Sequence, residues 1–179
     1  MDAVVSCVER VGLGGFALED VAAEAGVGRA TIYRHFAGGR AQLIRETVTR
    51  EVGRFWRDLA SEVAGEPDLE SRLVVGLMAA NQRLAEYELL QRLLAAEPQE
   101  ILAELLTSEP IVNELLRVYL RQLLRPEQLA PGVDLDEAAD YLTRMLLAYI
   151  GSPGRWDIAD VEEVRRLVRT QFLAGILQP

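Results

Sequence analysis

Cysteine is almost absent from this chain, which removes disulfide chemistry at once: Cys7 stands alone among 179 residues. A lone cysteine agrees with a reducing compartment and is read as a small buried hydrophobe on the first helix. Histidine is equally scarce, and one histidine (His35) plus one cysteine cannot build a usual structural zinc site, so no metal is expected. No segment is apolar for long enough to span a bilayer, and no charged-then-apolar leader is visible. The expected location is the cytoplasm, with no membrane partner. The phosphate-cradling Gly-x-Gly-x-x-Gly and P-loop patterns are missing, as is the Gly-x-Ser-x-Gly nucleophile elbow. Acid pairs such as Glu162–Glu163 and Asp134 with Asp136 follow a solvated-helix pattern and sit at helix starts, where they complement the dipole. No catalytic residue, no enzyme activity and no cofactor are expected.

Lysine is absent too; all nineteen cationic side chains are arginine. The formal net charge of −9 argues against a nucleic-acid partner until it is located along the chain. Met1 to Arg57 holds eight arginines and seven acids, whereas the remainder holds eleven arginines and twenty-one acids. Between Arg29 and Arg57 seven arginines face only Glu46 and Glu51, a local balance of +5. Phosphate attraction acts over about one Debye length, roughly 8–10 Å, so the local balance decides and the distant acidic excess is screened.

What the chain has in abundance is helical spacing; no segment shows the strict alternation of a half-buried strand. The spacing predicts a first helix over about Asp2–Val11 with Val4, Val5, Val8 and Val11 inward, ended by Gly12, Gly14 and Gly15. Phe16 and Leu18 lead into a second helix with Val21, Ala22 and Ala25 inward. Gly26 and Gly28 flank a turn at Val27. Ile32 and Phe36 face the core of a third helix, which leaves Thr31, Tyr33 and Arg34 outward. A long helix over about Arg40–Ala64 follows, then a break at Gly65–Asp68 with Pro67 suited to the next first turn. Two or three helices are expected from Leu69 to Leu124, with breaks near Glu97-Pro98 and Ser108-Glu-Pro110. A loop over Pro126–Asp134 precedes a helix over Leu135–Ile150. After Gly151–Gly154 a last helix is expected over about Ile158–Leu177.

The stretch Leu18–Phe36 packs a short amphipathic helix, a glycine-marked turn and a second short helix into nineteen residues. The second helix carries Arg29, Thr31, Tyr33, Arg34 and His35, groups suited to DNA. This is the layout of a helix-turn-helix, in which one helix braces and the next enters the major groove.

At Leu18–Phe36, extended through Leu43, the chain resembles the tetracycline-repressor-like (TetR) family of bacterial regulators. Asp20-Val-Ala-Ala-Glu-Ala-Gly-Val matches the brace and turn, Thr31-Ile-Tyr-Arg-His-Phe36 the recognition helix, and Gly39-Arg-Ala-Gln-Leu43 the start of the connecting helix. The match covers about the first quarter of the chain; the rest agrees in helix count and composition. The resemblance implies an all-α protein whose three-helix head is joined by a long helix to a helical ligand-binding and dimerisation bundle. The head would span 1–37, extending to about 45, and the effector-binding and dimerisation domain 40–179. It implies a homodimer through the last two helices and a double-stranded, pseudo-palindromic DNA operator. A small apolar or amphipathic effector would change the spacing of the two heads and so release a repressor from DNA.

The resemblance also assigns residues. Tyr33 and His35 would contact phosphate, Arg34 and Thr31 base or phosphate, and Arg29 lies on the same face. Arg40, where lysine is usual, would meet phosphate at a helix N-terminus. Two departures weaken caps: Ala17 replaces a threonine or serine, and Gly28 replaces the recognition-helix cap, at up to about 1 kcal/mol for alanine and a few tenths for glycine. The basic arm that many members carry is either absent or lies upstream of Met1. Effector-pocket candidates are Met78, Asn81, Gln82, Tyr87, Tyr119, Tyr141 and Met145, apolar and aromatic groups with a few polar ones. Two alternatives stand beside this reading: a helix-turn-helix regulator controlled by a protein partner with no small effector, and a helical interaction or enzyme module with a degenerate head. Arg29, Arg34, Arg40 and Arg45, with no acid between them, favour a working head. Wide apolar stripes on the final helices are expected to make a monomer untenable.

Overall fold

The computed structural model describes residues 1–178, and among them every regular element is helical. The helices are α1 (Asp2–Val11), α2 (Leu18–Glu24), α3 (Arg29–His35), α4 (Gly39–Val63), α5 (Leu69–Glu86), α6 (Glu88–Ala96), α7 (Pro98–Leu124), α8 (Leu135–Gly151) and α9 (Val161–Leu167). An isolated bridge between Leu129 and Leu177 is the one extended pairing among the described residues. The chain forms two compact units, one of residues Met1–Arg54 with Tyr87–Pro110, the other of Phe55–Glu86 with Ile111–Pro179.

In the first unit α1 packs on α2 and α2 on α3. Its core joins Val4, Cys7, Val8, Phe16, Val21 and Ile32 to Leu89, Leu93 and Ile101, so α6 and the start of α7 close over the same apolar centre as the three short helices. Cys7 is fully buried, as its small-hydrophobe reading requires. Val11 is exposed instead of inward, and so is Ala25, because α1 and α2 end there and the chain turns away from the core. The turn between α2 and α3 needs one glycine. Gly26 has φ +65°, and the Gly26 and Val27 amides donate back to Ala23 and Ala22 carbonyls, closing the end of α2. Gly28 lies in extended backbone that any residue adopts.

The second unit is built on Leu73, Leu77, Leu120, Leu142, Leu167, Val168 and Phe172, with α5 packed against α8 and α9. Asp134 starts α8: its carboxylate accepts the Asp136 and Glu137 amides at 2.8 and 3.0 Å. Asp134→Ala is expected to lower stability by about 1 kcal/mol, seen as a melting midpoint roughly 2–4 °C lower. Asp68, not Pro67, opens α5, accepting the Ser71 amide at 2.7 Å.

Three expectations are corrected here. The helix break near Ser108-Glu-Pro110 does not occur; α7 runs through Pro110. The Thr107 and Ser108 hydroxyls donate to the Ala103 and Glu104 carbonyls, the back-bonding by which a helix bends without ending. The last helix is shorter than expected. Asp160 caps its start at Val161, a five-residue π-turn (Val168–Phe172) closes it, and Gly175 turns at φ +79°. The backbone around Ile176 pairs with the Pro126–Asp134 loop instead: the Ala130 amide donates to the Ile176 carbonyl, and the Gln178 amide donates to the Gln128 carbonyl. Finally, the apolar stripes of α8 and α9 are spent inside this unit. Of their large hydrophobics only Tyr141 and Val161 are exposed, so the stripes do not by themselves make a monomer untenable.

Glu70 on α5 receives Arg165 at 3.0 Å and Arg169 at 2.8 Å. The Arg169 hydrogen bond first, and Arg165 second, hold its carboxyl below the usual glutamate range. A lowered folded pKa means that this stability is present above the unfolded value and is lost as pH falls through the folded value. Chemical denaturation of wild type and Glu70→Gln is therefore expected to differ by up to about 1 kcal/mol per ion pair near neutrality. The two should converge as pH drops below the ordinary glutamate range.

Candidate functional site

The local chemistry around α3 begins with its brace. Ala17 offers α2 no side-chain cap, and Asp20 supplies the missing interaction from the other side, its carboxylate accepting the Ala17 amide at 2.7 Å. That is half of a capping box, and it fixes the entry into α2 despite the alanine. Gly28 makes no side-chain cap for α3, as the sequence implied.

On α3, Ile32 is buried and Phe36 is half-buried against the same core, which orients the rest of the helix. Arg29, Tyr33, Arg34 and His35 are exposed together, and Thr31 is half-buried at the edge of that surface. Tyr33 is 48% exposed, so it is no core residue. Arg40, near the start of α4, lies with its guanidinium 4.7 Å from the centre of the Phe16 ring, and its Nε is buried without a hydrogen-bond partner. Stacking on Phe16 limits the freedom of that cation while leaving its charge beside the head. At the same end of α4, the Gly38 amide donates to the Gln42 carboxamide at 2.8 Å.

Pairing separates the arginines of this unit. Arg10 holds Glu24, Arg50 holds Asp2 and Glu51, and Arg54 also holds Glu51. Among the described residues Arg29, Arg34 and Arg45 form no ion pair, and all three are exposed. Exposed arginines left without an ion pair are what a polyanion partner calls for.

Sequence reasoning missed two residues. Glu19, in the first turn of α2, accepts the Tyr33 hydroxyl at 2.9 Å. That bond raises the Tyr33 phenol above its ordinary pKa, and Glu19 is held low by its own backbone amide first and by Tyr33 second. The phosphate-contact candidate thus already serves an acid. Glu97, between α6 and α7, accepts the Leu13 and Gly14 amides at 3.0 and 2.9 Å. Gly12 lets it approach: with φ +79°, a Cβ there would stand 2.0 Å from the Glu97 carboxylate. Neither partnership has a periodic signal, since each joins residues fourteen or more than eighty positions apart.

The sequence pattern of the bacterial regulatory proteins, tetR family, matches residues 1–47. Over that stretch, which holds the first three helices, the chain is similar to the TetR family. No curated protein sequence matches the chain significantly. Solved structures of regulators match nearly all of it. The repressor QsdR of R. erythropolis, of the TetR family, aligns at 20% identity and TM-score 0.65, over 99% of this chain and 93% of that one. The fatty acid degradation regulator FadR of Bacillus halodurans aligns at 19% and 0.57, over 95% and 96%. FadR of Bacillus subtilis, solved with stearoyl-CoA, aligns at 17% and 0.55, over 98% and 96%. At these identities the likeness establishes the all-α fold beyond residues 1–47.

The effector-pocket candidates are divided between the two units. Met78, Tyr119 and Met145 are half-buried against the core of the second unit. Asn81 spends its amide on the Leu77 carbonyl at 2.9 Å, and exposed Gln82 donates to Glu86. Tyr87 belongs to the first unit and is exposed, and Tyr141 is exposed with its hydroxyl on the Gln171 carbonyl.

Proposed function

We propose that this protein is a ligand-responsive, DNA-binding transcriptional regulator, a repressor released from its operator by a small apolar or amphipathic effector. The observation that carries the DNA half is the set of unpaired, exposed arginines, Arg29, Arg34 and Arg45, on a head similar to that of the TetR family. Phosphate contacts supply affinity there, and Thr31 and Arg34 meet base edges or phosphate. The effector half is supported by the fold shared with a regulator solved with stearoyl-CoA. In this reading the molecule works in the cytoplasm as a homodimer through its last two helices. Its two heads address half-sites of a pseudo-palindrome about 34–36 Å apart. No enzymatic step is part of it.

Selection of bound sequences from a random or genomic DNA pool tests the reading. A recurrent inverted repeat is expected, with an affinity that falls steeply as salt rises. Absence of any sequence preference at moderate salt overturns it, and a stable monomer at micromolar concentration in sedimentation overturns the two-half-site arrangement.

A second reading, control by a protein partner without a small effector, is favoured by the surface of α7. Ile111, Leu115 and Val118 are exposed at three- and four-residue steps there. Release of the purified protein from its selected operator by a small molecule alone decides against that second reading.

A further inference from the structure

The second unit carries a half-open cavity of about 440 Å³ between α7 and the start of α8, lined by Arg117, Val118, Arg121, Gln122, Arg125 and Asp136. Its volume falls within the roughly 300–1,000 Å³ of metabolite sites. Arg117 and Arg121 stand one turn apart on α7, about 6 Å along its axis, and Arg125 follows directly after the helix ends at Leu124. In a chain of net charge −9, three cations around one cavity are a local reversal of sign.

Their neutralisation is incomplete. Arg117 is satisfied, gripping Glu114 through two nitrogens at 2.8–3.0 Å and lying 3.7 Å from Asp136. Arg121 meets Asp136 through Nε, close enough for an ion pair yet not aligned for a hydrogen bond, and that Nε is buried. The outer nitrogens of Arg121, the whole of Arg125 and the Gln122 amide have no partner among the described residues. The backbone of Asp136 is held at the start of α8, its amide donating to the Asp134 carboxylate at 2.8 Å. Asp136 therefore acts as a post that positions Arg121 without consuming its forked face. A guanidinium fork left free is matched to phosphate or carboxylate oxygens in pairs. Val118, exposed within the same lining, offers an apolar contact for an organic moiety.

The geometry points to a binding site at the C-terminal end of α7 for a small phosphate-bearing organic anion, held by Arg121 and Arg125 with Gln122. It lies wholly within the second unit and does not depend on the regulator reading. The remaining candidate occupant, DNA, is an outcome of the test.

Isothermal titration of the full chain with inorganic pyrophosphate, at constant ionic strength, is the experiment. One saturable site per chain is expected. Arg121→Gln/Arg125→Gln should weaken it at least roughly tenfold, whereas Arg144→Gln, an exposed arginine on α8 paired with Asp140, should leave it unchanged. Melting curves of each variant check that the unit stays folded. The proposal is overturned by heats that never saturate, or by equal loss in the Arg144 variant, which mark diffuse charge attraction. It is also overturned if the double variant keeps pyrophosphate binding but loses DNA affinity, since the row then belongs to nucleic acid.

Discussion

Phe172→Ala is expected to destabilise the second unit by about 3–5 kcal/mol. The ring is completely buried, 5.4 Å from the ring of Tyr149, in a core that includes Leu142, Val164, Leu167 and Val168. It sits on the π-turn that closes α9, enclosed by the packed core of this unit. Truncation therefore leaves a cavity rather than a repacked core. For a chain of this size the melting midpoint should fall by roughly 6–20 °C. Phe172→Leu retains most of the volume and is expected to lose much less. Val161→Ala, on the exposed start of the same helix, should stay within about 0.5 kcal/mol. Urea midpoints followed by circular dichroism check the order. A Phe172→Ala protein as stable as Val161→Ala would mean that this core closes without the ring.

Much of this architecture was legible along the chain, and what was legible shares a physical cause. The α1, α2 and α3 boundaries follow from apolar spacing over short distances, punctuated by Gly12 and Gly26, so local rules suffice. Pro110 misled because a missing donor is only a local penalty, and α7 continues past it with the Thr107 and Ser108 hydroxyls bonded to carbonyls one turn back. The last helix was overextended for the reverse reason. Leu173 and Ile176 are indeed buried at helical spacing, but the backbone beyond Phe172 pairs with residues 128–130, and hydrophobic periodicity does not reveal a partner about fifty residues away. The cationic face of the head was readable from Arg29, Arg34 and Arg45 alone. The partnerships of Glu19 with Tyr33 and of Glu97 with the Leu13 and Gly14 amides were not, because each is a contact made only on folding.

Glu19 bears directly on the second large effect. On the proposed reading, Arg34→Ala should reduce affinity for the selected operator by about 1–3 kcal/mol, roughly 5- to 150-fold. Arg34 is exposed and free of any carboxylate, so truncation removes a cation fully available to DNA. If it meets phosphate, the loss is uniform across sequences and the salt slope falls by about one; if it meets a base edge, preference relaxes at one position of the half-site. Arg10 provides the contrast, since it is committed to Glu24 at 3.3 Å and its removal should leave DNA binding nearly unchanged. Glu19→Gln should act in the opposite direction. The Glu19 carboxylate both repels phosphate and occupies the Tyr33 hydroxyl, and it stays ionised near neutral pH because its pKa is held low. An amide keeps an acceptor for Tyr33 but drops the charge, so the variant should bind DNA more tightly, with the gain shrinking as salt rises. Fluorescence anisotropy across a salt series separates these outcomes. Unchanged affinity in Arg34→Ala together with weaker binding in Glu19→Gln would place the DNA surface elsewhere on the head.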